Sequence, residues 1–333
     1  MRTGSLFVAA LALSACSSTP SPSGGNDAGT TDAPVVTDTP TGTDVPDMGD
    51  VPVATDTPTV TDVPAMPSCG TERPTITGIR GTEGLVIARD GTIYYSQRSA
   101  VGRLVPGGSP ENAWVALTGA TTVWGLALDP SRQRLYAGSP VTRVIYAIDL
   151  SMDPPAVSNL LTNAGAPNGL TLDAEGNVIY SDFNGGQVYR VTPDGMRSTI
   201  TTSRIAAPNG VAFGPDGALY VDSYQTGTLL KLTLTDGRES ARETVAMGLG
   251  APDGLAFDAM GRIYIGDNQG GRLIRLDADG SNPEVLGMGI SAAANVEFGS
   301  GALPCTDIYV ASGGVLFRYT MGTTAGAAVP WHR

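Results

Sequence analysis

Three stretches of the chain carry nearly the same text: PNGLTLDAEGNVIYSD from Pro167 to Asp182, PNGVAFGPDGALYVDS from Pro208 to Ser223, and PDGLAFDAMGRIYIGD from Pro252 to Asp267. Each reads as strand, turn, strand. Leu170 and Leu172, Val211 and Phe213, and Leu255 and Phe257 alternate at period two, and turns rich in Gly and Asp follow them. The pieces from Asp173 to Gly176 and from Asp258 to Gly261 resemble calcium loops, but Asp opening and Gly closing a four-residue turn is ordinary turn chemistry. A second hairpin follows in each unit, as in GGQVYRVTPDG from Gly185 and GGRLIRLDADG from Gly270, closed by Asp-Gly.

Outward from these stretches the same phase returns at Gly84, Gly125, Gly169, Gly210 and Gly254, with Val296 in its place in a sixth unit, at intervals of 41, 44, 41, 44 and 42 residues. Four short strands per unit and a period of about 40 to 45 residues are the signature of a propeller. The expected fold is all-β, a six-bladed β-propeller with four antiparallel strands per blade over residues 68–333. A β-sandwich would need no such repetition.

The chain opens MRTGSLFVAALALSAC. One basic residue, a short apolar run from Leu6 to Leu13 and small residues before Cys16 read as a secretory signal over residues 1–15, too short to remain as a membrane-spanning helix. Leu13-Ser14-Ala15-Cys16 resembles a bacterial lipobox, which implies a lipidated Cys16 as the mature terminus. The alternative is a plain signal peptide with Cys16 incidental. Ser17 after the cysteine suggests sorting to the outer membrane, so the expected location is the bacterial cell envelope. Residues 16–67 form a Thr-, Asp- and Pro-rich segment whose part from Ser17 to Pro67 holds eight Asp and no Glu, Lys or Arg. So little apolar surface cannot offset the entropy of ordering, and the segment reads as a disordered, extended tether, with O-linked sugar a compositional possibility.

Of the formal net charge of −12, the tether contributes −8. The remaining domain has no basic stripe, which excludes nucleic acid as an expected partner. With Cys16 lipidated, Cys69 and Cys305 remain. Propellers commonly close by joining a strand from the amino terminus to the last blade, so a Cys69–Cys305 disulfide is expected, with two free thiols as the alternative.

The only histidine is His332, one residue from the end. Ser-His-Asp triads, His dyads, His-based lyases and Cys-His nucleophiles lack their partner. Oxygen chemistry remains. The residue at the recurring position before each Gly-hydrophobic pair, or before Val296 in the sixth unit, is Glu83, Trp124, Asn168, Asn209, Asp253 and Asn295. Equivalent positions of blades converge on the propeller axis, so five oxygen-bearing side chains are expected at one end of a central channel. Any single Asn-Gly is more often a turn than a ligand. Five at one phase point instead to a divalent cation, Ca²⁺ first, with Mg²⁺, Mn²⁺ or Zn²⁺ behind it and a purely structural ion as a sub-case.

These residues resemble the gluconolactonase, regucalcin and senescence-marker-protein group of six-bladed propellers, over about residues 75 to 325. The likeness is strongest in PDGLAFDAMGRIYIGDNQGGRLIRLDADG and ANVEFGSGALPCTDIYVASGGVLFRY. The resemblance implies a metal held by Glu83, Asn209 and Asp253, with Asn168 beside it contacting substrate or water; the remaining ring members, Trp124 and Asn295, are expected on the substrate side. It implies hydrolysis of a lactone or related ester, the cation polarising the carbonyl and Asp253 as candidate base. Sugar lactonases of the group often carry an Arg two residues before the substrate-side Asn; here that residue is Ala166. Trp124 favours an apolar or stacking ligand over a bare polyol, core packing being the alternative. The expected partner is a small lactone or ester, the expected state a monomer that meets membrane only through its lipid anchor. A non-catalytic propeller displayed on the same stalk, binding a ligand or protein, is the competing expectation.

Overall fold

A computed structural model describes residues 69–321, apart from Thr75 and Thr82. The signal segment 1–15, Cys16, the tether and His332 lie outside the described residues. Six antiparallel sheets follow one another along the chain. Blades 1 to 5 each hold four strands, with first strands Leu85–Ile87, Leu126–Asp129, Pro167–Leu172, Pro208–Phe213 and Pro252–Phe257. The sixth sheet, Ala293–Phe298, Asp307–Ser312 and Val315–Thr320, has three strands among the described residues.

Blade 3 illustrates how the text makes the sheet. Strands Pro167–Leu172 and Val178–Asp182 pair in register from Leu172 opposite Val178. Asp173 Oδ1 accepts the Glu175 and Asn177 N–H groups at 3.1 and 2.8 Å, and Gly176 takes a φ of +77° to close the turn. That φ suits Gly because other residues pay a steric penalty there. Asp173 also meets the Arg190 Nε at 2.6 Å, so this Asp-x-x-Gly piece is a turn and not an ion loop.

Inner-strand side chains pack between blades, not only within them. Ala127, Tyr136 and Ile145 of blade 2 share a core with Leu170, Leu172 and Tyr180 of blade 3. Leu85, Ile93 and Tyr95 of blade 1 share one with Ala294, Tyr309 and Leu316 of blade 6, which joins the two ends of the ring. The closing device expected from sequence was a strand. The described residues before blade 1 are irregular instead: Gly70 N–H donates to Gly301 O at 2.6 Å and Glu72 N–H to Ala302 O at 2.9 Å. Pro74 has no N–H to continue such a ladder. Its carbonyl accepts from Arg318 at 3.2 Å, and Arg73 Nε pairs with the buried Asp307 at 2.8 Å. Cys69 and Cys305 form a disulfide across this seam.

Candidate active site

The six residues of the recurring position do meet. Glu83, Trp124, Asn168, Asn209, Asp253 and Asn295 all line one recess on the axis, a cavity of about 30 Å³, room for an ion or one to two waters. The Gly that follows each of the first five is explained by this crowding. A Cβ on Gly125 would lie 1.8 Å from Asn168 O, and one on Gly210 would lie 2.4 Å from Asp253 O. Gly84 and Gly169 face the next blade's carbonyl in the same way. Each missing side chain lets the neighbouring blade bring its own polar residue up to the axis.

The ends of the second strands fix these residues. Ser96 Oγ accepts the N–H groups of Glu83 and Gly84 at 3.1 and 2.7 Å. Ser181 Oγ accepts from Gly169 N–H and donates to Asn209 O at 2.5 Å. Asp222 Oδ1 accepts from Gly210 N–H at 3.0 Å. One residue further on, Asp182 holds the Ala166 N–H at 2.8 Å and Asp267 the Ala251 N–H at 2.9 Å, anchoring the loops that deliver Asn168 and Asp253.

Carboxyl groups gather here with no Arg or Lys among the residues that line the recess. Asn209 and Asp253 are buried. Burial pushes the Glu83 carboxyl up to about 9, and the neighbouring Asp253 charge adds to it. Burial also pushes Asp253 up to about 7, opposed by hydrogen bonds from Asn268 and Asn209; the Asn268 Nδ2 to Oδ2 distance is 2.8 Å. Asp222 lies fully buried behind Gly210, its carboxyl held well above the usual range by burial and then by Asp253. Two buried oxygens here, Asn209 Oδ1 and Asp222 Oδ2, have no hydrogen-bond partner. Buried polar atoms are rarely left so, because the lost hydration costs about 1–3 kcal/mol each. Among the described residues no three His, Cys, Asp or Glu side chains cluster to hold a metal. The donor set available to a cation is therefore Glu83 and Asp253 completed by amide oxygen, Asn209 Oδ1 first. Oxygen-only donors of this kind fit a hard divalent cation.

Other members of the ring differ from this trio. Asn168 is buried and lines the recess. Asn295 also lines it, but its amide is engaged by backbone: Nδ2 donates to Leu85 O and Oδ1 accepts from Val296 N–H, both at 2.8 Å. It clasps blade 6 to blade 1. Trp124 is half-buried, edge-on to Phe183 at 5.9 Å between ring centroids, and Phe183 is edge-on to Tyr224 at 5.7 Å. The Tyr224 hydroxyl lies 3.3 Å from Asn268 Oδ1. Phe183, Tyr224 and Asn268 occupy one phase, directly after the second strand in YSDFNGG, VDSYQTG and IGDNQGG, a repeat position that sequence reasoning passed over because its residue type changes from blade to blade. Below the recess the channel widens to a cavity of about 100 Å³, walled largely by apolar residues such as Leu126, Val211 and Phe257, into which Glu297 projects. Burial pushes its carboxyl up to about 8, opposed by the Phe298 N–H.

Residues 91–221 and 184–314 each match the family described as SMP-30/Gluconolactonase/LRE-like region. The chain belongs to that family. Its sequence is similar to a 6-deoxy-6-sulfogluconolactonase of Pseudomonas putida, 32% identical over 141 residues, covering 40% of this chain and 48% of the relative. It is also similar to a virginiamycin B lyase of Nocardia farcinica (strain IFM 10152), 29% identical over 175 residues, 51% of this chain and 57% of the relative. The chain thus spans about half the length of the curated relatives it matches. Among solved structures, a calcium-binding regucalcin from Agrobacterium tumefaciens str. C58 superposes with a TM-score of 0.61 at 16% identity, covering 79% of this chain and 99% of that one. An identity that low speaks for the fold alone.

Proposed function

We propose that this member of the SMP-30/gluconolactonase-like family is a divalent-cation-dependent hydrolase of lactones or related esters. The observation that carries the proposal is the meeting of Glu83, Asn209 and Asp253 in one recess, with the Asn209 amide oxygen buried and unpartnered. Those three residues would hold the cation, with Ca²⁺ preferred on the chemistry of the donors and in keeping with the calcium-binding regucalcin of the same fold. When bound it supplies positive charge beside the lactone carbonyl oxygen, where negative charge develops. Asp253, its oxygens oriented by Asn268 and Asn209, takes a proton from the attacking water. Water oxygen bonds to the carbonyl carbon, the ring C–O bond breaks, and the leaving oxygen takes a proton to give a hydroxy acid. Asn168 faces the same recess and would orient water or substrate.

The reading extends to the rest of the chain: Cys16 carries lipid, the acidic Pro-rich segment is the stalk, and the propeller is displayed on the bacterial envelope at the outer membrane. The test is a panel of lactones offered to the purified protein with and without EDTA, beside Asp253→Ala with its melting curve. Turnover abolished by EDTA and by the substitution, with folding kept, supports the proposal. No turnover on any lactone, with melting still raised by Ca²⁺, would leave a metal-stabilised binding module instead.

A further inference from the structure

We infer that Trp124, Phe183 and Tyr224 form the wall against which substrate sits, and that the substrate is a lactone bearing an alkyl or aryl substituent, not a polyhydroxylated sugar lactone. The inference rests on the hydrolase reading above and specifies its substrate class.

The recess, at about 30 Å³, holds an ion and little else, so the body of any lactone must lie on its rim. Over blades 2 to 4 that rim is aromatic. Trp124 stands at the one ring position without an oxygen-bearing side chain, and its ring, Phe183 and Tyr224 form an unbroken edge-to-face series with 5.9 and 5.7 Å centroid separations. All three are half-buried and packed edge-on to one another. Rings held this way present apolar surface with little entropy left to lose on binding. The series also ends at the reacting carboxyl, because Tyr224 OH meets Asn268 Oδ1 and Asn268 Nδ2 holds Asp253 Oδ2.

Beyond Phe183 a surface groove of about 500 Å³ runs between blades 3 and 4, lined by Ile205, Ala206 and Ala207 together with the polar Asn184, Arg204 and Gln225. A substituent crossing Phe183 would continue into it. No Arg or Lys lines the recess; its polar side chains are the carboxyls Glu83 and Asp253 and the amides Asn168, Asn209 and Asn295, gathered around the cation position. A polyol would lose water from several hydroxyls against these rings without replacing their hydrogen bonds, whereas an alkyl or phenyl group loses none.

The experiment compares kcat/KM of the Ca²⁺-loaded full-length protein for γ-decalactone and for D-glucono-1,5-lactone. In parallel, calorimetry measures binding of the unreactive lactam 5-phenyl-2-pyrrolidinone against unsubstituted 2-pyrrolidinone. We expect γ-decalactone to be preferred by at least about tenfold, and Phe183→Ala to lower that preference and the phenyl lactam's affinity advantage by about tenfold. Tyr224→Ala provides a second variant should Phe183→Ala fail to fold. Preference for glucono-1,5-lactone would overturn the substrate class while leaving the hydrolase reading intact. Failure to open either lactone, with Phe183-dependent binding of the phenyl lactam, would keep the aromatic wall and remove the hydrolase reading. Failure to open either lactone or to bind the lactam would overturn both.

Discussion

Raising the pH from 7 to 9 should tighten divalent-cation binding about a hundredfold. The cation needs carboxylate, and the empty protein holds protons in its place. With its carboxyl pushed up to about 9, Glu83 is protonated about a hundred to one at pH 7 and half ionised at pH 9; Asp253, at about 7, is half protonated at neutrality. Expelling the Glu83 proton at pH 7 opposes binding by roughly 3 kcal/mol, since each pH unit below the carboxyl's midpoint costs a little over 1 kcal/mol. Because the two carboxyls interact, the protons belong to the pair, and about 1.5 should be released per ion bound at pH 7. Calorimetric titration of Ca²⁺ at pH 7, 8 and 9, each in two buffers of different ionisation enthalpy, measures both quantities. A plot of log affinity against pH with a slope near 1, flattened in Glu83→Gln, is expected. Affinity independent of pH, with no protons released, would refute the reasoning, because the carboxyls would then be ionised already or play no part in binding.

Glu297→Gln should stabilise the protein increasingly as the pH rises above 4.5. Its folded-state carboxyl sits at about 8 against an ordinary 4.5, so stability is full below pH 4.5, falls as pH rises, and levels off above 8. Discounted for water that the channel can admit, the gain at pH 9 is roughly 1–3 kcal/mol, read as a melting-temperature difference that vanishes at pH 4.5. Replacing Cys69 by Ser opens a link spanning 236 residues of sequence, and should cost about 2–5 kcal/mol in denaturant unfolding, with no further loss on adding reductant. Gly210→Ala places a methyl group 2.4 Å from Asp253 O and 2.5 Å from Asp222 Oδ2. It should destabilise by about 1–3 kcal/mol and weaken Ca²⁺ binding at least about tenfold, measured by the same titration.

The parts of the fold legible in the chain were those written identically in every blade. Gly at 84, 125, 169, 210 and 254 recurs because each abuts the next blade's residue at the axis, so the same steric demand left the same letter five times. The turn at Asp173 to Gly176 was legible because its backbone requires it locally. Where one position carries different chemistry in each blade, no such signature forms. Asp222 stands where blade 3 has Ser181, and reads in VDS as one more strand residue although it lies buried beside Asp253. Phe183, Tyr224 and Asn268 share a phase but not a type, and only the assembled rim joins them. Asn295 was legible as a ring member, but its engagement with Leu85 O depends on the meeting of first and last blades, 210 residues apart in sequence. The closing segment departs from a strand for a local reason, the missing N–H of Pro74, yet its attachment to residues 301–303 is tertiary.

The central claim is that one cation binds where Glu83, Asn209 and Asp253 converge. Anomalous diffraction from crystals soaked in Mn²⁺ tests it most directly. The account predicts a single strong peak on the propeller axis within about 2.0–2.6 Å of oxygens from all three side chains. No peak in the recess, or a peak bound elsewhere while the recess holds only water, would contradict it.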